Sequence, residues 1–491
     1  MEKADEVSRR AGMDRREFLA SACGMATTLY AINLVGGCAR SRLAATVAGP
    51  VGGAAGGAGG GAGGGAAGGA GANGGDGGFA IPPEAMTDAA IAEACLGIAG
   101  NELIIDMQTH FTTPDSTPLS SLAFDTFVGR LDETRFPWIV RTPGATGPSK
   151  YDRMEYIRQI LMGSDTTIAV LSGAPYTLGP DGTGAGGPTV LGNEDLAVGA
   201  DYIADRFPGR ILSQCMVMPN DRLDLQLVMM QDNAERYDHW CTYTAWSPTG
   251  NGGYWLDGPE GLAMLRKGID LGAPVFHIHK RAPSTDLGSA YTNPKDVGRA
   301  ARAVPDAHLV LYASAYALGG GEVLHSGPLI GSYAEGPYPD DVSDPKLAAS
   351  YPRHRSVNAL ISSLRDAGIG PNGNNLPGFE GLPEAHVYAD CATAWANLMT
   401  RPIEAQHYWG KLLKHVGEDR ILWATSCLWF GSPQPLIEAF RAFTISEELQ
   451  ERYGYPALTQ ARKQKILGQN AAQLQRVRGR DVVGCSFARQ T

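Results

Sequence analysis

The chain has 491 residues, 43% of them hydrophobic, with 51 acidic against 41 basic side chains and a formal net charge of −10 at pH 7. That length suits one large α/β barrel or two ordinary domains. The acidic balance leaves no basic face for a phosphate backbone, which argues against nucleic acid and for a small-molecule substrate or ligand.

In chain order, the first feature is an arginine pair ahead of an apolar run, Phe18 to Val35, that is too short for a comfortable membrane span. Arg15, Arg16, Phe18 and Leu19 resemble the core of a twin-arginine export signal. The sequence "LVGGC", ending at Cys38, resembles a lipobox, whose cysteine is acylated after cleavage. Residues 1–38 are therefore read as the export signal. Residues 39–79 are almost all Gly and Ala from position 49 onward, so they have little to bury and are expected to be a disordered tether reaching on the order of 30 Å. Residues 80–491 are the folded domain. The expected address is the periplasm or its membrane, with contact to the bilayer through the lipid anchor only.

Two of the eight cysteines lie in the export segment. The other six (Cys95, Cys215, Cys241, Cys391, Cys427, Cys485) show neither CxxC nor zinc-ribbon spacing. They make no metal motif, and their pairing does not follow from spacing.

From Ala80 on, short apolar runs alternate with segments of helical period, the pattern of parallel strands with crossover helices. The runs predict strands at Leu103–Met107, Thr167–Ser172, Ile211–Met218, Cys241–Trp246, Val275–His279, Leu309–Ala313, His386–Asp390 and Ile421–Thr425. Helices are predicted at Asp152–Met162, Glu194–Arg206, Gly261–Leu271, Pro294–Ala303, Ser356–Ala367 and Glu404–His415. Eight strands with interleaved helices predict a (β/α)8 barrel of the TIM type. An open doubly wound sheet would carry a glycine fingerprint after its first strand, where this chain has "DMQTHFTTP". Gly- and Pro-rich segments after the second, fourth and sixth strands would lie over the C-terminal mouth.

In such a barrel the chemistry sits at the C-terminal ends of the strands, on residues that alternate into the lumen. Asp106, Gln108 and His110 share one face of the first strand, His277 and His279 one face of the fifth, and Asp390 ends the seventh. Imidazoles and carboxylates converging from different strands are what a divalent metal needs to activate water. Each also has a plain structural use: a hydrogen-bonded core histidine, or an aspartate satisfying buried backbone.

The span from Ile104 to Val477 resembles the amidohydrolase superfamily, in the branch that includes decarboxylases. The likeness rests on "IIDMQTH", "LGAPVFHIHK", "DAHLVLYASAY", "HVYADCATAW", the tail "GKLLKHVGEDRILWATSCLWFGSPQ" and "KILGQNAAQL", in that order. It implies a distorted (β/α)8 barrel holding one divalent metal, usually zinc. The first-strand His-x-His pair falls on Gln108 and His110, and the fifth-strand ligand on His279. The sixth-strand His falls on Ala313, and the eighth-strand Asp, both ligand and general base, falls on Ser426. Ala313 has nothing to coordinate with, and a serine hydroxyl is neither a usual zinc ligand nor a base. Gln108 is a weak oxygen ligand better suited to a hard cation.

Two functions stay open on the sequence. One is an enzyme that hydrolyses or decarboxylates a small carboxylate or amide through a partly degenerate metal site of His110, His279 and Gln108, with Asp390, His277 or Asp106 taking the proton. The other is a pseudoenzyme, an anchored barrel that binds a ligand or partner without turnover. Metal-free acid/base catalysis is a third, weaker option.

Overall fold

A computed structural model describes residues 102–112, 138–142, 150–174, 191–247, 252–280, 290–316 and 334–476, and the backbone of 78–79. The export signal with Cys38, the tether up to residue 77, Cys95, Cys485 and the Gly- and Pro-rich segments expected after the second and sixth strands lie outside the described residues.

Eight parallel strands follow one another around a barrel in sequence order. They are β1 (Ile105–Thr109), β2 (Ile168–Leu171), β3 (Ile211–Met216), β4 (His239–Tyr243), β5 (Val275–His279), β6 (His308–Leu311), β7 (His386–Asp390) and β8 (Ile421–Leu422). The ring closes where the chain beyond β8 meets β1. Met107 N donates to Trp423 O (3.0 Å), Ser426 N to Gln108 O (2.8 Å), His110 N to Cys427 O (2.7 Å) and Leu428 N to His110 O (3.1 Å). The (β/α)8 expectation therefore holds, and the strands are buried on both faces, as parallel strands wrapped by helices must be.

Helices Asn193–Arg206, Pro259–Asp270, Val297–Ala303, Ser356–Asp366 and Pro402–Lys411 stand where helical periodicity placed them. Strand ends differ more. β6 stops short of Ala313 because the chain leaves the extended region there, with Ala313 at φ 49°, Ser314 at φ 54° and Ala315 at φ 56°; β8 ends at Leu422, ahead of a like turn at Ser426 (φ 58°). Apolar periodicity does not register such a turn, since both conformations bury the same side chains. β1 is displaced toward the C-terminus, and Ile104 N bonds the Thr167 hydroxyl instead of a ladder partner (3.2 Å). Among the described residues no helix is long and apolar enough to cross a membrane.

Two fully buried ion pairs brace the mouth side. Lys280, directly after β5, reaches Asp296 Oδ2 (2.5 Å), which also accepts from Leu256 N (2.6 Å). Lys411 pairs with Glu335 and donates to Asn358 Oδ1 (2.8 Å), while Ser356 Oγ donates to Glu335 Oε2 (2.7 Å). Buried charges persist when paired and hydrogen-bonded in this way, and losing one partner strands the other. The first two residues of the described chain also pack back: Gly78 and Phe79 pair antiparallel with Thr444 and Phe443.

Candidate functional site

The alternation of β1 sends Gln108 into the upper lumen, with His110 just above it. β5 brings His279 to the same height, and Ser172 follows the end of β2. All four are essentially buried. Gln108 Nε2 lies 3.2 Å from His110 Nε2 and 3.2 Å from His279 Nε2, and Ser172 Oγ donates to Gln108 Oε1 (2.9 Å).

The hydrogens in this cluster follow from one backbone carbonyl. His110 Nδ1 sits 3.0 Å from Ser172 O, a group that only accepts, so Nδ1 carries the proton. Burial holds the His110 pKa down to about 4, so the ring is neutral and its Nε2 is bare. The Gln108 atom facing that nitrogen must then be the NH2 group, whose two hydrogens go to the two imidazoles. The amide nitrogen occupies the point on which both Nε2 lone pairs converge.

The surrounding rings fix these groups. His279 is sandwiched between Tyr243 (4.0 Å, 26°) and Tyr312 (4.2 Å, 20°). His110 stacks on Trp429 (4.9 Å, 11°). Tyr312 OH and Ser426 Oγ share a hydrogen bond of 3.0 Å, and Tyr243 OH donates to Gly173 O (2.9 Å).

Asp390 Oδ1 accepts from Ala313 N (2.6 Å), while its Oδ2 is buried without a hydrogen-bond partner among the described residues. Burial raises its pKa well above the ordinary carboxylate value. Between the unfolded and native pKa values the folded chain holds a proton that the unfolded chain has lost, so this group's contribution falls as pH rises. Asp390→Asn removes that slope. The variant is expected to gain on the wild type by about 1.4 kcal/mol per pH unit between about pH 5 and the native pKa, read from urea unfolding at matched pH.

The other predicted residues lie elsewhere. Asp106 accepts from Gln108 N (3.2 Å), Thr425 N (3.0 Å) and Thr425 Oγ1 (2.5 Å), so it joins β1 to the chain beyond β8. His277 Nε2 meets His239 Nδ1 (3.1 Å), whose Nε2 meets Gln475 Oε1 (2.9 Å). That pair belongs to a deeper layer of the lumen. Sequence reasoning missed Ser172, Tyr243 and Tyr312 at the site. Ser172 was in reach, as the polar residue ending a predicted strand; the tyrosines became visible only when strand order set them on either side of His279.

A divalent metal does not fit these residues. Among the described residues no group of three or more His, Cys, Asp or Glu side chains could hold one. The two bare imidazole nitrogens are already met by an amide, Ala313 has no donor, and the Ser426 hydroxyl is engaged with Tyr312.

Compared with protein families and with curated proteins, the sequence matches none. Solved structures resemble it in fold. An uncharacterized TIM-barrel protein from Bordetella bronchiseptica is 13% identical over 77% of this chain and 99% of its own, with a TM-score of 0.45. A dihydroxybenzoic acid decarboxylase from Polaromonas sp. JS666, holding manganese and 2-nitroresorcinol, is 12% identical over 78% and 99%, with a TM-score of 0.41. A 2,6-dihydroxybenzoate decarboxylase is 11% identical over 76% and 99%, with a TM-score of 0.39.

Proposed function

We propose that the chain is an exported, lipid-anchored barrel that binds a small carboxylate- or amide-type molecule at its mouth without metal-dependent turnover. One observation carries this reading: the Gln108 amide fills the place between His110 and His279 that a cation would need. The reading is a binding site, not an inert core, because four of the seven non-glycine residues with left-handed backbone among the described residues stand at the mouth: Ala313, Ser314, Ala315 and Ser426. Each costs about 1 kcal/mol or more, and such strain collects where a ligand or reaction is served. In this reading residues 1–38 direct export, Cys38 carries the lipid and residues 39–79 hold the barrel off the membrane.

Thermal denaturation of the full chain against a panel of small carboxylates and amides tests it. A raised melting temperature that survives EDTA is expected; no response across the panel would defeat it. For the address, Arg15→Lys with Arg16→Lys should retain precursor in the cytoplasm, and Cys38→Ala should free the barrel from membranes.

A second reading, acid catalysis without metal, is favoured by the buried Asp390 carboxyl, whose pKa burial raises and whose Oδ2 meets no hydrogen-bond partner among the described residues. Turnover of any panel member that disappears in Asp390→Asn would select it.

A further inference from the structure

Gln108 sets more than the absence of a metal. Its two N–H bonds dictate where the proton sits on His279, and among the described residues that proton meets no acceptor. The Ser172 carbonyl puts the His110 proton on Nδ1, the bare His110 Nε2 takes one Gln108 hydrogen, and His279 Nε2 takes the other. A neutral imidazole with its Nε2 lone pair engaged carries hydrogen on Nδ1. His279 Nδ1 is buried and has no hydrogen-bond partner among the described residues. Rotating the ring out of this arrangement is opposed on both faces, by Tyr243 at 4.0 Å and Tyr312 at 4.2 Å. Native structures rarely leave such a donor unmatched, and one at a functional site calls for an acceptor.

We propose that His279 Nδ1–H is the recognition donor of this barrel and takes a carbonyl or carboxylate oxygen of the bound molecule, with Gln108 as the positioning residue that selects the donating tautomer. The inference rests on the ligand-binding reading above and adds what that site recognises: an oxygen acceptor, not an amine. With Nε2 accepting from Gln108 and the hydrogen on Nδ1, the ring offers a neutral donor and not an imidazolium. A carboxylate and an uncharged amide should therefore both be accepted, whereas an ammonium should be refused.

The test uses the full chain labelled with 15N in histidine, and benzoate, benzamide and benzylamine as probes of matched shape. Side-chain 15N correlation spectra, assigned by His279→Gln, report the tautomer directly. The expected result is protonated Nδ1 and bare Nε2 on both His110 and His279, with the His279 Nδ1 resonance moved by benzoate and by benzamide and unmoved by benzylamine. Gln108→Glu replaces the donor by an acceptor and should shift the His279 proton to Nε2 and abolish the benzoate response. Gln108→Leu, which removes both roles, should release the preference between the two nitrogens.

A His279 found with its proton on Nε2 in the unsubstituted chain overturns the inference, even where benzoate raises the melting temperature; the ligand-binding reading would then survive it. An Nδ1 resonance unmoved by all three probes also overturns it, and if the melting temperature is equally unmoved by the wider panel, the ligand-binding reading falls as well.

Discussion

The full chain, purified from cells grown with excess zinc and manganese, will carry metal at well below one equivalent, and EDTA will leave its melting temperature unchanged. Emission spectrometry of metal content against protein concentration checks the first part and calorimetry the second. A structural or catalytic zinc needs three or four deprotonated donors, and among the described residues this mouth supplies two neutral imidazole nitrogens, already hydrogen-bonded to one amide. Entry of a cation would have to break both of those bonds, each worth about 0.5–1.5 kcal/mol net, without gaining a carboxylate. The converse substitution should work. Gln108→His, Ala313→His and Ser426→Asp together place nitrogen and carboxylate donors at the positions where the amidohydrolase resemblance expects ligands. The backbone favours the change, because Ala313 at φ 49° and Ser426 at φ 58° already hold a left-handed conformation that His and Asp adopt more readily than Ala. Bound metal near one equivalent in the triple variant and next to none in the wild type is the expected contrast. Tightly held, near-stoichiometric metal in the wild type would defeat the reading of the Gln108 amide as an occupant of that place.

How much of this was legible in the sequence depended on the length scale of each interaction. Strand identity was, because β1 to β8 are apolar runs bounded by turns, and their order follows from chain order once helices alternate with them. The lumen face of Gln108, His110 and His279 was legible too, since period two fixes it within each strand. What period cannot give is height. His277 and His279 share a face of β5, yet His277 meets His239 and Gln475 lies beyond it, while His279 meets Gln108. The separation is set by strand stagger, which no single strand encodes. Hydrogen placement was equally hidden, because it starts from the Ser172 backbone carbonyl and passes through three side chains. Gln108 read as a weak ligand on sequence grounds; with its nitrogen turned inward it is a donor facing two lone pairs.

Asp106 offers the sharpest separation of a catalytic from a structural role, and Asp106→Ala is expected to cost about 3–5 kcal/mol of stability. The residue sits fully buried on β1, and its carboxylate takes the amides of Gln108 and Thr425 and the Thr425 hydroxyl. Alanine leaves those donors buried and unpaired, at about 1–3 kcal/mol each before relaxation. They lie beside the backbone bonds that close the barrel, from Met107 to Trp423 and from Ser426 to Gln108, so loosening should spread along that seam. Asp106→Asn is the informative companion. It keeps an acceptor for the amides and should cost much less, with a dependence on pH that alanine does not share. Burial raises the Asp106 pKa from 3.8 to about 7 in spite of its hydrogen bonds. Below 3.8 both folded and unfolded chains are protonated here, and between 3.8 and about 7 only the folded chain is, so the wild type loses stability as pH rises through that window. The asparagine side chain does not titrate, and the variant's deficit relative to wild type should shrink by about 1.4 kcal/mol per pH unit across the window. Urea unfolding at about pH 4, 5.5 and 7, with hydrogen exchange at the Thr425 and Gln108 amides, measures both effects. An Asp106 that served only catalysis would instead leave Asp106→Ala near native stability, the loss being confined to turnover.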